Sequence, residues 1–297
     1  MSTSPQKTIK PCVFCKETDF RFLFEPKKNA LDDEFSPSSQ FLDSERIVEC
    51  VRCGLVQINP QRSKTDVLAS YEKTIEEHYV SESYARSRTF RRVLNQISPL
   101  HSGSLLDVGA SAGLLVLEAQ KRGIEAEGIE PNISMVRWAK NHGNSSVRKG
   151  TLNDIKGKDR FGIITFMDVL EHLSDPVDAI RRSKKLLKVK GLVVINIPDF
   201  ESLSSRILKK HWWFVTSGHL YYFSSKSLRM VLEKHGFEVI YDRPHLQYFS
   251  LAHLFRQMGR YNKRVSELLF LFGKRLKFDR VIVPYIAGQR MIIARKK

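Results

Sequence analysis

The sequence predicts an α/β fold built around a mainly parallel sheet with helices on both faces, preceded by a small cysteine-containing module. Two observations predict the sheet. Apolar strand patterns alternate with amphipathic helical patterns from Ser104 onward, and a turn of small residues directly follows the first of these strands. The cysteines predict the module, because all four lie in two Cys-x-x-Cys pairs that end at Cys53.

Length and charge limit the possible classes of protein. A chain of 297 residues can form one large domain with a small appendage. The formal net charge is +17, and residues 241–297 hold 13 Lys+Arg against 3 Asp+Glu. This basic end can attract phosphorylated substrates, a lipid surface or nucleic acid, or can simply be a solvated face. Residues 1–10 are polar and no apolar run spans a bilayer, so we expect a cytoplasmic protein, with peripheral binding at the inner membrane surface as the alternative.

The cysteine pairs predict a structural zinc site. Its four sulfur ligands are Cys12, Cys15, Cys50 and Cys53. Two thiolate pairs on tight turns give zinc a tetrahedral set with no open coordination position. Gly54 directly follows the second pair and lets the backbone turn toward the sulfur. We therefore predict a zinc-ribbon-like module over residues 1–60, with reduced cysteines that hold no metal as the alternative.

The remaining elements are predicted in chain order. A polar helical pattern at 65–97 predicts a helical bridge over residues 61–101, and the main domain then covers 102–297, with a helical insertion at about 245–287. Four helices are predicted in the main domain. Glycines end three of them, and Asp175 is the predicted N-cap of the fourth. The predicted strands are 104–108, 125–130, 162–167, 192–197, 237–241 and 289–295, and the predicted helices are 113–122, 134–141, 176–187 and 227–235.

The turn after the first predicted strand, Asp107 to Gly113, is the predicted cofactor-binding loop. Its glycine and alanine residues let a ligand approach the backbone closely. Such a turn suits a dinucleotide as well as other nucleoside cofactors. Glu130 ends the second strand, where its carboxylate can accept hydrogen bonds from both hydroxyls of a ribose. The alternative for Glu130 is an ordinary surface acid at a strand end.

Longer motifs give the sequence a family resemblance. They are Asp107–Gly113, Gly128–Pro131, Phe166–Pro176 and Gly218–Ser224. On these motifs the chain resembles the class I S-adenosylmethionine-dependent methyltransferases, which have a Rossmann-like fold. More closely, it is similar to the type 23-like branch that includes the ubiquinone-biosynthesis O-methyltransferase. Many bacterial members of this branch also begin with two Cys-x-x-Cys pairs. The motifs are specific for the family and not for a substrate.

The resemblance implies S-adenosylmethionine as the cofactor and a set of residues that bind it. Gly109, Ala110 and Gly113 would lie against its methionine part, Glu130 would bind the ribose, and the 151–152 segment would lie near the adenine. The full implied set is Asp107, Gly109, Ala110, Gly113, Glu130, Pro131, Thr151, Leu152 and Met167. The sequence departs from the family pattern at Ser111, where a glycine is frequent, and at Gly162, where an Asp is usual.

Two histidines are candidates for proton transfer. Methyl transfer is an in-line displacement, and a hydroxyl acceptor must lose a proton to a base such as histidine. His219, in an aromatic-rich stretch, is the first candidate, and a histidine that holds this loop by hydrogen bonds is the alternative. His172 is the second, with a structural role favoured. The spacing of Asp168, Glu171 and His172 also resembles the metal-binding acids and histidine of the ubiquinone-type enzymes, which implies a site for Mg²⁺ or Zn²⁺.

Three functions are consistent with these patterns. The first is an enzyme that O-methylates a small molecule or a glycan, including a lipid- or nucleotide-linked sugar or a quinone precursor. The second is an RNA methyltransferase whose zinc module and basic tail bind the phosphate backbone. The third is a non-catalytic module that binds the cofactor. The basic, apolar helical pattern within 245–286 can cap the active site, rest on an anionic membrane or pack in the core.

Overall fold

The computed structural model describes residues 7–26, 45–63, 65–67, 77–101, 103–216, 218–259, 261–275, 278, 281–286 and 288–297. The N-terminal elements are β1 (Lys7–Thr8), β2 (Phe20–Phe24), β3 (Arg46–Cys50), β4 (Val56–Asn59), β5 (Gln61–Arg62), α1 (Glu77–Ser81) and α2 (Ser83–Ile97). The elements that follow are β6 (Leu105–Val108), α3 (Leu114–Gln120), β7 (Ala126–Glu130), α4 (Ile133–Asn141), β8 (Val147–Lys149), β9 (Phe161–Met167), α5 (Pro176–Leu186), β10 (Leu187–Pro198), α6 (Leu203–Leu208), β11 (Tyr221–Tyr222), α7 (Ser225–Lys234), β12 (Phe237–Pro244), β13 (Gln247–Ser250), α8 (Leu251–Met258), α9 (Lys263–Arg275), β14 (Ile282–Tyr285) and β15 (Gln289–Lys296).

The central sheet has seven strands in the order β12-β15-β10-β9-β6-β7-β8. Neighbouring strands from β10 to β8 pair in parallel, and only β15 runs antiparallel to its neighbours. Their apolar runs are buried because helices cover both faces. The mainly parallel, Rossmann-like α/β sheet predicted from the sequence is confirmed.

The two long segments that leave the sheet both leave from one edge. Residues 199–220 follow the end of β10, and residues 245–288 run from the end of β12 to the start of β15. Because β15 is antiparallel, it begins at the edge where the parallel strands end. We call this the carboxyl edge. Ligands of open α/β sheets bind at this edge, so both segments are positioned to border a ligand site.

Helix starts and stops follow local chemistry. The Asp175 carboxylate accepts a hydrogen bond from the Asp178 N–H (2.9 Å), so the predicted N-cap is confirmed. The Asn132 side chain caps α4 by accepting from the N–H groups of Ser134 and Met135. Gly123, after α3, has a φ of +74° and ends that helix at the predicted position.

A second sheet joins the N-terminal segment to the main domain. It has the order β11-β4-β3-β2, so a strand at residues 221–222 pairs with the N-terminal strand β4. The Phe14 ring stacks on Phe223 with centroids 5.8 Å apart, and Cys12 and Leu55 belong to the main buried core. The N-terminal segment, predicted as a module over residues 1–60, therefore shares both a sheet and a core with the rest of the chain.

Other elements extend the sequence prediction. The insertion predicted as helical contains α8 and α9, and in addition an antiparallel ribbon of β13 and β14. Strand β10 begins at Leu187, where a helix end was predicted, and its register with β9 shifts before Leu192. Residues 68–76 of the predicted bridge lie outside the described residues. Among the helices of the described chain, none combines the length and the apolar composition needed to cross a membrane.

Candidate functional site

The four cysteines converge on one point. The sulfur of Cys12 lies 3.4 Å from that of Cys53, and the sulfur of Cys15 lies 3.5 Å from that of Cys50. All four sulfurs lie within 4.8 Å of one another, and none forms a disulfide. Tetrahedral Zn–S bonds of about 2.3 Å require sulfurs about 3.8 Å apart. The arrangement therefore fits a single structural Zn²⁺.

The two cysteine pairs lie on equivalent turns. The Lys16 N–H donates to the Cys12 carbonyl (2.9 Å), and the Gly54 N–H donates to the Cys50 carbonyl (2.9 Å). Both donor residues have positive φ, +64° for Lys16 and +70° for Gly54. The hydrogen bond from Cys53 lowers the pKa of the Cys12 thiol to about 5, and the same contact together with burial raises the pKa of Cys53. The Gly54 turn was predicted from the sequence, and its counterpart at Lys16 was not.

The small-residue turn after β6 has the backbone that its sequence predicts. Gly109 and Gly113 have φ values of +72° and +73°, and Ser111 adopts +47°, at the position where the resemblance leads one to expect glycine. A Cβ on Gly109 would lie 2.6 Å from Val169 Cγ2, and one on Gly113 would lie 2.2 Å from Asn144 Nδ2. Glycine at both positions therefore permits a close backbone turn before α3.

Glu130 closes the other side of this turn. Its carboxylate is buried and accepts hydrogen bonds from the Ser111 N–H (2.8 Å) and the Asn132 N–H (2.8 Å). These bonds fix the carboxylate at the end of β7, facing the turn. A carboxylate has about four acceptor positions, which suits a pair of ribose hydroxyls. Sequence reasoning missed Asn132, although an Asn directly before a helical pattern is a recognisable N-cap signal.

Asp107 lies beneath the turn, within β6. Its carboxylate is buried and accepts a hydrogen bond of 2.6 Å from the Thr165 hydroxyl of β9. Burial raises the pKa of Asp107 to about 7, and the Thr165 bond opposes this rise. Thr165 was missed by sequence reasoning. Its signal is a single polar residue within an apolar strand pattern.

The remaining predicted cofactor residues lie at the same edge. Thr151 donates to the Asp154 carboxylate from both its N–H (2.8 Å) and its hydroxyl (2.9 Å), which starts a short 3₁₀ turn over Leu152–Asp154. The Gly150 N–H donates to the Glu130 carbonyl, so this turn begins beside β7. Ala110 follows Gly109 in the turn after β6, and Pro131 follows Glu130 at the end of β7. Met167 is the last residue of β9.

Asp168 belongs to a different group from the one predicted. It has a φ of +60°, and its Oδ1 accepts hydrogen bonds from the side-chain amides of Asn196 (2.6 Å) and Gln289 (2.7 Å). Burial raises the pKa of Asp168 to about 6. The carboxylate is thus held across β9, β10 and β15. The structure does not assemble the predicted ion-binding set of Asp168, Glu171 and His172.

The structure instead assembles Glu171, His172 and His219, whose ligand atoms all lie within 4.8 Å of one another. The two imidazole rings meet edge to face with centroids 4.6 Å apart. Glu171 is buried, and neither of its carboxylate oxygens accepts a hydrogen bond from another described residue. Burial raises the pKa of Glu171 well above its usual range, and the nearby Asp168 adds to this rise.

His172 has a defined tautomer. Its Nδ1 lies 2.8 Å from the Gly218 carbonyl oxygen, which can only accept, so Nδ1 carries the proton and the lone pair of the neutral ring is on Nε2. Burial lowers the pKa of His172 to about 4, so the ring is neutral at pH 7. The same contact joins the connection after β9 to the loop that holds His219.

A row of aromatic rings extends from the histidine pair. His219 stacks on Phe214 with centroids 6.4 Å apart, and Phe214 contacts Trp213 at 6.0 Å. Trp213 contacts Tyr285 of β14 at 6.5 Å, and Tyr285 meets Phe249 of β13 edge to face at 5.5 Å. The rings connect the 199–220 segment to the insertion. We call these five residues, with His219 as the first, the aromatic row.

Comparison with known families gives a match over the centre of the chain. Residues 82–242, more than half of the sequence, match a family described as Methyltransferase domain. This segment contains β6 to β11, most of β12 and the loop around Glu130.

Curated relatives match over a shorter segment. The ubiquinone biosynthesis O-methyltransferase of Bradyrhizobium diazoefficiens is 32% identical over 117 residues, which cover 38% of this chain and 46% of that protein. The enzyme of the same name from Rhodopseudomonas palustris is 32% identical over 116 residues, with 37% and 46% covered. The chain thus spans about half the length of the curated relatives it matches.

Solved structures support the fold. An S-adenosylmethionine-dependent methyltransferase from Thermotoga maritima superposes with a TM-score of 0.51 at 20% identity, covering 74% of this chain and 94% of that one. The YcgJ protein from Bacillus subtilis also gives a TM-score of 0.51, at 15% identity, with 71% and 98% covered. At these identities the similarity shows the fold alone.

Proposed function

Since this chain belongs to the Methyltransferase domain family, we propose that it transfers a methyl group from S-adenosylmethionine to a small-molecule or glycan acceptor. One observation carries the proposal. The buried Glu130 carboxylate is fixed by two backbone N–H groups opposite a turn in which Gly109 and Gly113 leave no side chain in the way. A nucleoside with an attached amino acid needs both features, an acceptor pair for the ribose and an open backbone beside it.

The residues at the carboxyl edge have distinct roles in this proposal. Gly109, Ala110 and Gly113 would contact the methionine part, Glu130 followed by Pro131 would bind the ribose, and the 151–152 turn would border the adenine. Asp107 would support the turn from beneath, through its bond to Thr165. Met167 would lie near the sulfonium, since it ends the central strand β9.

The proposed chemistry is a direct displacement. The acceptor oxygen attacks the methyl carbon, the carbon–sulfur bond breaks, and the bonding pair leaves with the sulfur to give S-adenosylhomocysteine. The acceptor's hydroxyl proton passes to His219. Neutral His172 contacts this ring edge to face and, through its Nδ1–H bond to Gly218, stabilises the loop from which His219 extends. Alignment of acceptor and methyl supplies the larger part of the rate.

We propose a ring-containing acceptor, either a small aromatic molecule or a sugar. The support is the aromatic row, because flat apolar rings bind aromatic molecules by stacking and sugars by their apolar faces. The printed names of the curated relatives, ubiquinone biosynthesis O-methyltransferases, favour oxygen as the accepting atom.

Two metal sites belong to the proposal. Cys12, Cys15, Cys50 and Cys53 would hold structural Zn²⁺. Glu171, His172 and His219 fit a second divalent ion, since an ion would satisfy the buried Glu171 carboxylate, which lacks hydrogen-bond partners among the described residues. Bound there, the ion would supply Lewis acidity to the acceptor hydroxyl. His219 would then be a ligand and not the base, so metal content distinguishes the two roles.

The first test is calorimetric titration with S-adenosylhomocysteine, with NAD as the control ligand. We expect micromolar binding of the first and none of the second. Glu130→Ala should weaken binding at least tenfold, because the ribose loses its acceptor pair. Glu127→Ala is the matched control, since Glu127 lies on the same strand and pairs with surface arginines. Equal binding by all three proteins would rule out Glu130 as the ribose acceptor.

The second test concerns His219. His219→Gln should leave S-adenosylhomocysteine binding unchanged and lower turnover at least a hundredfold, while His235→Gln, at the far end of α7, should change neither. The acceptor screen begins with phenolic compounds and sugars. Elemental analysis of Glu171→Gln then separates the roles. Loss of a second bound ion identifies His219 as a ligand, and an unchanged metal content leaves it as the base.

A further inference from the structure

Two segments at the carboxyl edge expose large apolar side chains. On α9, Leu268, Leu271 and Phe272 are 67%, 63% and 61% exposed. Their spacing of three and four residues places them along one stripe of the helix. On α6, Leu203 and Ile207 are 74% and 68% exposed, again four residues apart. We call these five side chains the apolar face.

The two segments are physically connected. The Tyr261 hydroxyl, in the turn between α8 and α9, donates to the His211 carbonyl (2.9 Å) in the 3₁₀ turn that follows α6. The helices α8 and α9 also hold each other. The Ser266 hydroxyl donates to the Phe255 carbonyl (2.8 Å), and Arg256 lies over the Phe270 ring. The inner side of α9 is therefore packed, while its outer stripe remains exposed.

The apolar face is surrounded by positive charge. Residues 203–211 and 251–275 together contain nine Lys+Arg and a single acidic residue, Glu267. Arg264, Lys274 and Arg275 lie on α9 and are exposed, as are Arg206 on α6 and Lys209 directly after it. Such a surface matches an anionic bilayer in both of its parts. The exposed apolar side chains suit the acyl boundary, and the surrounding basic side chains suit the anionic headgroups.

We propose that the apolar face binds the surface of an anionic lipid bilayer, with α9 lying in the headgroup layer. Helix α9 has 13 residues, too few to span the hydrocarbon core, so it would lie parallel to the surface. Charge alone would also suit RNA, but a phosphate backbone gains nothing from exposed leucines. The segments of this face leave the same sheet edge as the cofactor turn, so binding would bring that edge to the membrane. The proposal does not depend on the identity of the acceptor.

The test is co-sedimentation of the full chain with vesicles. We expect binding to phosphatidylglycerol–phosphatidylcholine vesicles and at least tenfold weaker binding to pure phosphatidylcholine. The triple variant Leu268→Ser, Leu271→Ser, Phe272→Ser should lose at least tenfold in partitioning to anionic vesicles. The matched control is Val189→Ser, an exposed apolar residue at the start of β10, at the opposite end of the strand from the carboxyl edge.

Charge variants give an independent measurement. Lys274→Glu with Arg275→Glu should reduce binding to anionic vesicles at least tenfold, whereas Lys188→Glu with Lys190→Glu, two exposed lysines beside Val189, should retain it. S-adenosylhomocysteine titration of each variant verifies its fold. A failure of that titration in the parent protein would contradict the proposed function and leave the vesicle result intact.

Four outcomes would overturn the membrane proposal. The parent protein could fail to bind anionic vesicles, or the triple variant could bind them as the parent does. In the third outcome, the parent protein does not bind vesicles and sediments as a dimer, whereas the triple variant sediments as a monomer. A second copy of the chain would then be the occupant of this face. In the fourth outcome, the parent and the triple variant bind RNA equally and neither binds vesicles. This result would exclude a lipid role for the apolar residues.

Discussion

Gly113 and Gly123 have nearly the same positive φ but different surroundings. Their φ values are +73° and +74°, yet a Cβ on Gly123 would meet nothing within 4 Å, whereas one on Gly113 would lie 2.2 Å from Asn144 Nδ2. That amide cannot easily move, because it donates to the Gly113 carbonyl (2.9 Å). The comparison separates the cost of the conformation from the cost of the close approach.

We expect Gly123→Ala to lower the free energy of unfolding by about 1 kcal/mol, the cost of a left-handed alanine. Gly113→Ala should lower it by at least about 3 kcal/mol, because the Asn144 amide must also be displaced. Urea denaturation measures both, and calorimetry with S-adenosylhomocysteine should show weakened binding only for Gly113→Ala. Similar losses in the two variants would show that the turn tolerates a side chain at Gly113.

Asp107 predicts a pH dependence of stability. An unfolded Asp releases its proton near pH 4, but the buried carboxyl releases it only near its pKa of about 7. Between these values the folded state binds more protons, so its contribution to stability falls as pH rises. Asp107→Asn keeps an acceptor for the Thr165 hydroxyl and removes the titration.

The Asp107→Asn variant should therefore equal the parent near pH 4 and exceed it by up to about 4 kcal/mol at pH 8, since one pKa unit corresponds to about 1.4 kcal/mol. Thermal unfolding followed across this range measures the difference. A difference between variant and parent that stays constant from pH 4 to pH 8 would mean that Asp107 titrates as an ordinary exposed carboxyl.

At the scale of elements, β11 connects the N-terminal segment to the main domain. Phe223, directly after β11, is buried and stacks on Phe14. Phe22 on β2 is exposed and serves as a control of the same residue type. We expect Phe223→Ala to cost about 3–5 kcal/mol in urea denaturation and Phe22→Ala less than about 0.5 kcal/mol. Comparable costs would show that the contact between Phe14 and Phe223 contributes little.

The strands and helices of the main domain could be predicted because each carries its own periodic pattern. Strands β6, β7 and β9 and helices α3 to α5 were predicted within a few residues of their ends. Strand β8 was missed, since only Val147 of its three residues is buried. The two-residue β11 was also missed, because its partners lie far away in the sequence and no local pattern marks a strand that short.

The candidate site was only partly predictable for the same reason. The glycine turn and Glu130 follow from the order of strand, turn and helix, and the cysteine pairing follows from spacing. By contrast, Thr165, Asn196 and Gln289 act through contacts between strands that are distant in sequence. The grouping of Glu171 with His219 also depends on a loop that is distant in the sequence. The contact that holds this loop, between His172 and Gly218, joins residues 46 positions apart.

At the scale of the whole molecule, the shared core predicts cooperative unfolding. Cys12, Phe14 and Leu55 belong to one buried cluster with strands of the central sheet. If zinc holds the cysteines, its removal should shift the main transition of the entire chain and not only melt the N-terminal segment. We expect one calorimetric transition, lowered by several degrees after treatment with 1,10-phenanthroline.

The isomer 1,7-phenanthroline, which does not chelate zinc, is the control and should leave the transition unchanged. Elemental analysis should give at least one zinc per chain before treatment. A separate low-temperature transition, with the main transition unmoved, would indicate that the N-terminal segment unfolds independently and that the contact through β11 is weak.

The pairing of β11 with β4 also has a consequence for biosynthesis. The Tyr221 hydroxyl contacts Gln61, 160 residues earlier in the chain, so the N-terminal sheet cannot complete its edge until most of the chain has left the ribosome. At about 5–20 residues per second, synthesis of these 160 residues takes roughly 10–30 s. During that time β4, whose residues are all buried in the native protein, presents an open edge that can pair wrongly. The late arrival of Tyr221 and Tyr222 ends this exposure.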